Sequence, residues 1–412
     1  MDRLQGDDAT EADLAEMVRE RAGQDGIARL FYWLTRLQQS GQLEYALRLT
    51  DGSDVRVVPQ QAGPVFRDRR FDAATIYVAS RFAFVRRVDR GTQIESPLLP
   101  VVLRFESWLP AAVMALFGHP TSTQAMAASL PSSATGDLVA LAELVVKTGF
   151  VEAPREDHPS AESLWDFHEV LFHSRSSSPR LGERFAASHP HRRPEPPLVR
   201  PAFPQTVAIA LPPPRLERWM QDDPPLARVI EQRRSVGMAG PKALALEQLG
   251  DFLHRTAHPH TDVHRALPSA GARHELEFYA CVHQVEGLPS AFYHYHAQSH
   301  RLHALNAPGD AVVELLARAG AAWSTGDQIP HVVIVVSSRF PRMASRYASI
   351  AYRNTLLDAG IAIEAMYLNA TAMQLAPCAL GINLPDLFAR MTGLDPFDET
   401  PIAMFALSVP NE

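Results

Sequence analysis

Apolar positions change their period along this chain, and each change marks an element. Glu11 to Gln38 carries helical spacing. Leu43 to Leu49 and Val55 to Val58 are β-prone runs flanking Asp51-Gly52-Ser53-Asp54, the signal of a tight hairpin. Ser80 to Val88 and Thr92 to Glu95 flank Asp89-Arg90-Gly91 in the same way. Leu138 to Thr148 reads as a helix with Asp137 as N-cap, closed by Gly149-Phe150-Val151 and leading into a strand. Helices followed by hairpins predict a winged-helix-like α+β module. The helix Leu138 to Thr148 sets only Lys147 against Glu143, which excludes the basic face of a DNA reader.

The second half is patterned differently. Leu226 to Gln232 reads as a helix that ends in Arg233-Arg234-Ser235. Two guanidiniums and a hydroxyl suit a phosphate, and equally a solvated helix end. Ser269-Ala270-Gly271-Ala272 is a turn almost without side chains, followed by the apolar run from Leu276 to Tyr279. Such a turn lets backbone N–H groups approach the polar edge of a flat ligand. Gly287-Leu288-Pro289 precedes an aromatic strand at Phe292-Tyr293-His294-Tyr295, and Val332 to Val336 reads as a strand buried on both faces. From Ser349 to Leu375, Ala351, Leu356, Ala359, Ile363, Met366 and Ala370 recur at helical spacing. The helix is apolar on more than one face, as in a core or a dimer surface. Ala376 to Gly381 stops it.

The 412 residues suffice for two or three domains. The formal net charge of -7 argues against a general nucleic-acid or membrane-surface binder. The 33 prolines concentrate between Pro190 and Pro225, which predicts an extended segment with little regular structure. The expected layout is residues 1–185 as the first region, 186–214 as a proline-rich linker and 215–412 as the second domain. Cys281 and Cys378 form no disulfide framework or metal spacing, which fits a reducing cytoplasm. Met1 to Glu11 is acidic and polar, and no signal peptide or membrane-spanning run is read. His168 and His173 lack a third ligand at metal spacing, so no metal site is expected.

The ordered set Arg233-Arg234-Ser235, Pro268-Ser269-Ala270-Gly271 with His274 and Leu276-Glu277, Gly287-Leu288-Pro289 with Tyr293-His294-Tyr295, then Arg346-Tyr347, Tyr352-Arg353, Leu356 and Ala359-Gly360 resembles the nitroreductase-like flavin fold. More narrowly it resembles the SagB-type, McbC-like azoline dehydrogenases. In the first half, Ser80 to Phe84, Glu95-Ser96-Pro97 and Phe167 to Ser176 fit the longer members. The resemblance implies a central mixed sheet with a long core helix, bound FMN, and a first region that docks a partner or engages the peptide. It implies that Arg233, Arg234 and Ser235 hold the flavin phosphate and ribityl chain. Pro268, Ser269, Ala270 and Gly271, with Ala272, would lie against the flavin, and Pro377, Leu380 and Gly381 would approach its ring. Two features depart from the family. Gly237 stands where many nitroreductases carry a basic residue, and Phe405 to Glu412 lacks the family's glycine-proline turn.

Arg346 and Tyr347 stand where several azoline dehydrogenases carry Lys-Tyr, a pair assigned to proton removal. Aromatising an azoline removes a hydride and a proton; the flavin takes the hydride at N5 and a base takes the proton. Tyrosine titrates near ~10, so a neighbouring cation must favour its phenolate. Arginine cannot itself be a neutral base. Tyr347 is thus the expected base and Arg346 its electrostatic helper, with His274 and Glu277 behind them. Tyr352 and Arg353 are expected to pack and ion-pair. The leading expectation is an FMN-dependent oxidation of thiazoline or oxazoline rings, with oxygen reoxidising the flavin. The substrate would be a peptide or a carrier-bound intermediate, the partner a cyclodehydratase or synthetase, and the assembly a homodimer. An NAD(P)H-dependent nitro or quinone reductase and a non-catalytic scaffold are the alternatives.

Overall fold

The computed structural model describes residues 9–88, 91–128, 132–154, 161–181, 195–261, 265–323 and 328–411. The chain divides into two units, Met1–Arg184 and Phe185–Glu412.

In the first unit, α1 (Glu11–Gln39) starts at a capping box. The Thr10 hydroxyl accepts the Asp13 N–H at 3.1 Å and the Asp13 carboxylate accepts the Thr10 N–H at 3.0 Å. β1 (Tyr45–Arg48) and β2 (Asp54–Pro59) form the first hairpin. β3 (Ile76–Ala79) follows, then the second hairpin of β4 (Phe84–Arg87) and β5 (Thr92–Glu95). Asp89 and Arg90 of its turn lie outside the described residues. β6 (Val101–Phe105) joins both hairpins into one antiparallel sheet, ordered β1-β2-β6-β5-β4, a larger sheet than a winged-helix-like module needs. α2 (Leu109–Leu116), β7 (Thr121–Ser122), α3 (Thr123–Ala128), α4 (Ser132–Thr148), β8 (Val151–Glu152) and α5 (Phe167–Ser177) complete the unit. Leu138, Leu141, Ala142 and Val145 of α4 share a core with Val55, Ile94 and Leu103. Asp137 is not an N-cap, because α4 begins earlier; its carboxylate accepts the Thr50 hydroxyl at 2.6 Å and ties the helix to the first hairpin.

The second unit takes in the proline-rich segment. Residues 190–194 lie outside the described residues, but β9 (Val207–Ala210) is a sheet strand and α6 (Leu216–Asp222) is a helix. The prolines flank these short runs without interrupting them, in a segment expected to hold little regular structure. α7 (Leu226–Gln232) and α8 (Leu246–Ala257) lead to the meander β10 (Leu276–Val282), β11 (Phe292–His296) and β12 (Arg301–Ala304). α9 (Gly309–Trp323), β13 (Val332–Ser338), α10 (Phe340–Ala344), α11 (Ala351–Ala372), β14 (Ala376–Leu380), α12 (Pro385–Thr392) and β15 (Thr400–Ser408) follow.

The sheet order is β14-β15-β13-β10-β11-β12-β9, and every ladder in it is antiparallel. The expected mixed sheet is therefore corrected: β10 to β12 are joined as hairpins, and β13 enters beside β10 in the opposite sense. Helices nevertheless cover both faces. Phe278, Ala280, Ile334 and Val336 pack with Phe252 of α8 and Met366 of α11. Tyr279, Cys281, Val333 and Val335 pack with Leu315 of α9 and Phe388 of α12. Burial on both faces explains the unbroken apolar run of β13. Among the described residues no helix is long and apolar enough to cross a membrane.

Candidate active site

α11 organises two clusters of the residues singled out above. One lies at Tyr367. The Tyr367 hydroxyl accepts the Ala379 N–H at 2.8 Å and shares a 2.8 Å hydrogen bond with the Ser235 hydroxyl. The Arg233 guanidinium lies 5.2 Å from the Tyr367 ring centre, within cation–π range. Val236 fixes this loop, its N–H donating to Pro377 at 2.8 Å and its carbonyl accepting the Trp323 indole N–H at 2.8 Å. Arg233, Ser235 and Pro377 thus come together, although they are far apart in sequence. Pro377 and Leu380 are buried; Arg234, Ser235 and Gly381 are exposed. A Cβ at Gly381 would meet open space. Cys378 sits beside Ser235 and Tyr367, and burial pushes its thiol up.

The other cluster is the turn after Pro268. Gly271, Ala272 and His274 have φ of +59°, +53° and +47°. Left-handed backbone costs an L-residue about 1–2 kcal/mol, so strain is concentrated here. The Ser269 hydroxyl donates to Glu275 Oε2 at 3.1 Å and accepts the His274 N–H at 2.9 Å. The Ala270 N–H donates to Asp358 Oδ2 at 3.1 Å and Oδ1 at 3.3 Å. The expectation that this turn offers its N–H groups outward is corrected for Ala270, whose donor is taken by α11. Gly271 faces Tyr347: a Cβ there would collide with the Tyr347 hydroxyl. Tyr347 is half-buried and Arg346 is exposed.

Glu275 and Asp358 were not among the residues singled out from sequence. Asp358 lies in phase with Ala351, Thr355 and Ala362 on the buried face of α11, a signal present in the pattern. Burial, and then the neighbouring Asp358 carboxylate, push Glu275 up to about 7. Burial also raises Asp358. Glu277 is different. Despite burial, hydrogen bonding from His294 and the charges of His294 and Arg339 hold it below the usual range. Its carboxylate meets His294 Nε2 at 3.0 Å and Arg339 Nη1 at 3.3 Å, as a structural anchor does. The Arg342 Nε–H donates to the Arg273 carbonyl at 2.9 Å and braces the turn. His274 is buried and lines a small cavity of about 50 Å³ with Pro268 and Ser269. Tyr352 lies at the exposed start of α11, its ring 6.0 Å from Phe340. His173 packs 5.6 Å from Trp165 in the first unit.

Residues 230–408 match the nitroreductase family model, and residues 77–182 match that of the cyanobactin oxidase ThcOx. The trifolitoxin-processing protein TfxB of Rhizobium leguminosarum bv. trifolii is 27% identical over 152 residues, 35% of this chain but only 39% of TfxB. The putative nitroreductase MJ1384 of Methanocaldococcus jannaschii is 28% identical over 158 residues, covering 38% of this chain and 78% of that protein. A chain of the E. coli microcin synthetase McbBCD complex, with truncated pro-MccB17 bound, superposes with a TM-score of 0.39 and 19% identity, over 44% of this chain and 70% of that one. The second unit thus carries a nitroreductase-family domain, an oxidoreductase fold of the α+β class. Residues 77–182, before it, are similar to the cyanobactin oxidase ThcOx.

Proposed function

We propose that this protein is an FMN-dependent oxidoreductase that converts thiazoline or oxazoline rings in a peptide or carrier-bound intermediate to thiazole or oxazole. The observation that carries the reading is the Tyr347 hydroxyl seated directly against Gly271 of the expected flavin turn. The residues present fit FMN in kind. Arg233, Arg234 and Ser235 offer two guanidiniums and a hydroxyl to a phosphate. Pro377 and Leu380 offer an apolar wall, and Gly381 leaves space beside it. Bound FMN would supply the hydride acceptor. Tyr347 accepts the ring proton, with Arg346 as the neighbouring cation in the chain. Together these steps remove one hydride and one proton, which leaves the ring aromatic.

The two clusters touch α11 at Asp358 and Tyr367, about 14 Å apart by helix rise. The helix exposes Ile361 between them, and Tyr352, Leu356 and Leu357 on the turns before Asp358. This apolar face supports a homodimer in which the clusters of two copies complete each site. The first unit is the proposed docking region for the peptide or a cyclodehydratase partner. The free thiols of Cys281 and Cys378 suit a cytoplasmic setting.

The test is the absorption spectrum of FMN-reconstituted protein mixed anaerobically with a thiazoline peptide. Bleaching that slows in Tyr347→Phe is expected. Bleaching by NAD(P)H but not by the peptide would replace the reading with a reductase, and failure to retain FMN would point to a scaffold.

A further inference from the structure

We propose that Glu275 and Asp358 share one proton, and that this proton positions the Ser269–Gly271 turn and, through Gly271, the Tyr347 hydroxyl. The pair acts on the turn from below, and its effect on catalysis rests on the reading of Tyr347 given above. Both side chains are buried, with 0% and 4% of the residue surface exposed. Both carboxyls reach the same two-residue step of the turn, Glu275 through the Ser269 hydroxyl and Asp358 through the Ala270 N–H, so they lie against each other. Two carboxylates in contact and out of water cannot both be ionised without strong repulsion. Besides the Glu275 backbone N–H, the donors at the pair are few for two anions. The Ala270 N–H goes to Asp358, and the Ser269 hydroxyl has one proton to give, while its oxygen receives the His274 N–H. Glu275 Oε1 is buried without a hydrogen-bond partner, and so is Thr355 Oγ1 one turn before Asp358 on α11.

The neighbouring charged groups are committed elsewhere. On β10, Glu277 is held by His294 and Arg339. From the start of α10, Arg339 also binds the Pro197 carbonyl at 2.9 Å, and only its backbone N–H reaches Glu275, at the carbonyl oxygen. Arg342 of α10 is bound to the Arg273 carbonyl. His274, beside Glu275, gives its backbone N–H to Ser269, and Tyr347 stands beyond Gly271. One carboxyl therefore keeps its proton and donates to the other. Losing it puts a second negative charge under the turn. Ser269 and Ala270 then cannot both keep their places, and the surface that Gly271 presents to Tyr347 moves.

The test uses the full chain. Infrared spectra taken from well below to well above pH 7 should show a protonated-carboxyl stretch that fades through that region and is absent in Glu275→Gln. FMN binding, followed by quenching of its fluorescence, should weaken by about tenfold over the same range, the equivalent of one unit of differential protonation. Glu275→Gln keeps the shape of the protonated acid and should hold the low-pH affinity throughout. Titration of the FMN phosphate is common to both proteins and cancels in the comparison. Absence of the band in the wild-type chain would overturn the proposal, as would a Glu275→Gln profile identical to wild type. A chain that shows the band but binds no FMN would support the shared proton while removing the flavin reading. The infrared measurement needs no variant beyond the wild type to fail, so misfolding of a mutant cannot shield the idea.

Discussion

The two ends of α11 are built from opposite materials. At Tyr367 the partners are neutral or cationic, and the phenol, the Ser235 hydroxyl and the Ala379 N–H satisfy one another. At Asp358 two acids lie side by side under a turn with three residues at positive φ. At the first end every hydroxyl and N–H has a partner and a guanidinium stands beside the ring. The second stores strain and a proton against the Tyr347 hydroxyl. The difference separates tasks: one end suits holding a phosphorylated ligand, the other suits moving a proton. Polar groups of this kind are costly in a core and are informative where they occur.

The comparison can be broken most directly at Tyr347. Tyr347→Phe should slow flavin bleaching by peptide about 10²–10⁴-fold, the range for loss of a general base, with FMN affinity unchanged. Stopped-flow absorbance and FMN titration on the same sample check both halves. At the other end, Arg233→Ala should weaken FMN binding about tenfold to a hundredfold, as for loss of a charged hydrogen bond, while bleaching at saturating FMN persists. A rate loss without an affinity loss there would erase the division. Gly271→Ala should destabilise the protein by about 1–2 kcal/mol for its left-handed backbone. Its Cβ should also displace the Tyr347 hydroxyl and slow bleaching, read by denaturant unfolding and stopped flow.

The smallest effect expected is a pH dependence confined to the acidic end. Glu275 is raised in the folded state, so the stability it contributes is complete below its ordinary value of 4.5 and falls as pH rises to about 7. Above that it changes no further. The melting temperature of wild type should therefore lose ground to Glu275→Gln across this window. Parallel curves would remove the asymmetry between the ends.

Much of this architecture was legible in the pattern of apolar residues. Val332 to Val336 lies in β13, and Leu226–Gln232 is α7, because each run has one period and clear breakers. α11 closes before the expected Leu375, and Gln374 at φ +56° marks the turn beyond it. β9 was hidden because proline density outweighed a short Val-Ala-Ile-Ala run. The antiparallel sense of the sheet depends on where β13 enters, which no local period encodes. The same limit applies to the site. Asp358 could have been read as a charge on the apolar stripe of a core helix. Glu275 could not, because its meaning comes from a helix far along the chain. Nor could the placing of Tyr347, which depends on the loop between α10 and α11.

The central claim is that this chain removes one hydride and one proton from an azoline ring, with Tyr347 taking the proton. The most direct measurement is a single-turnover anaerobic reaction with a thiazoline peptide, in which flavin bleaching and peptide mass are followed together. The account predicts loss of two hydrogens from the peptide for each flavin bleached, and neither change on the same timescale in Tyr347→Phe. Bleaching without that mass change, or an undiminished rate in Tyr347→Phe, would contradict it.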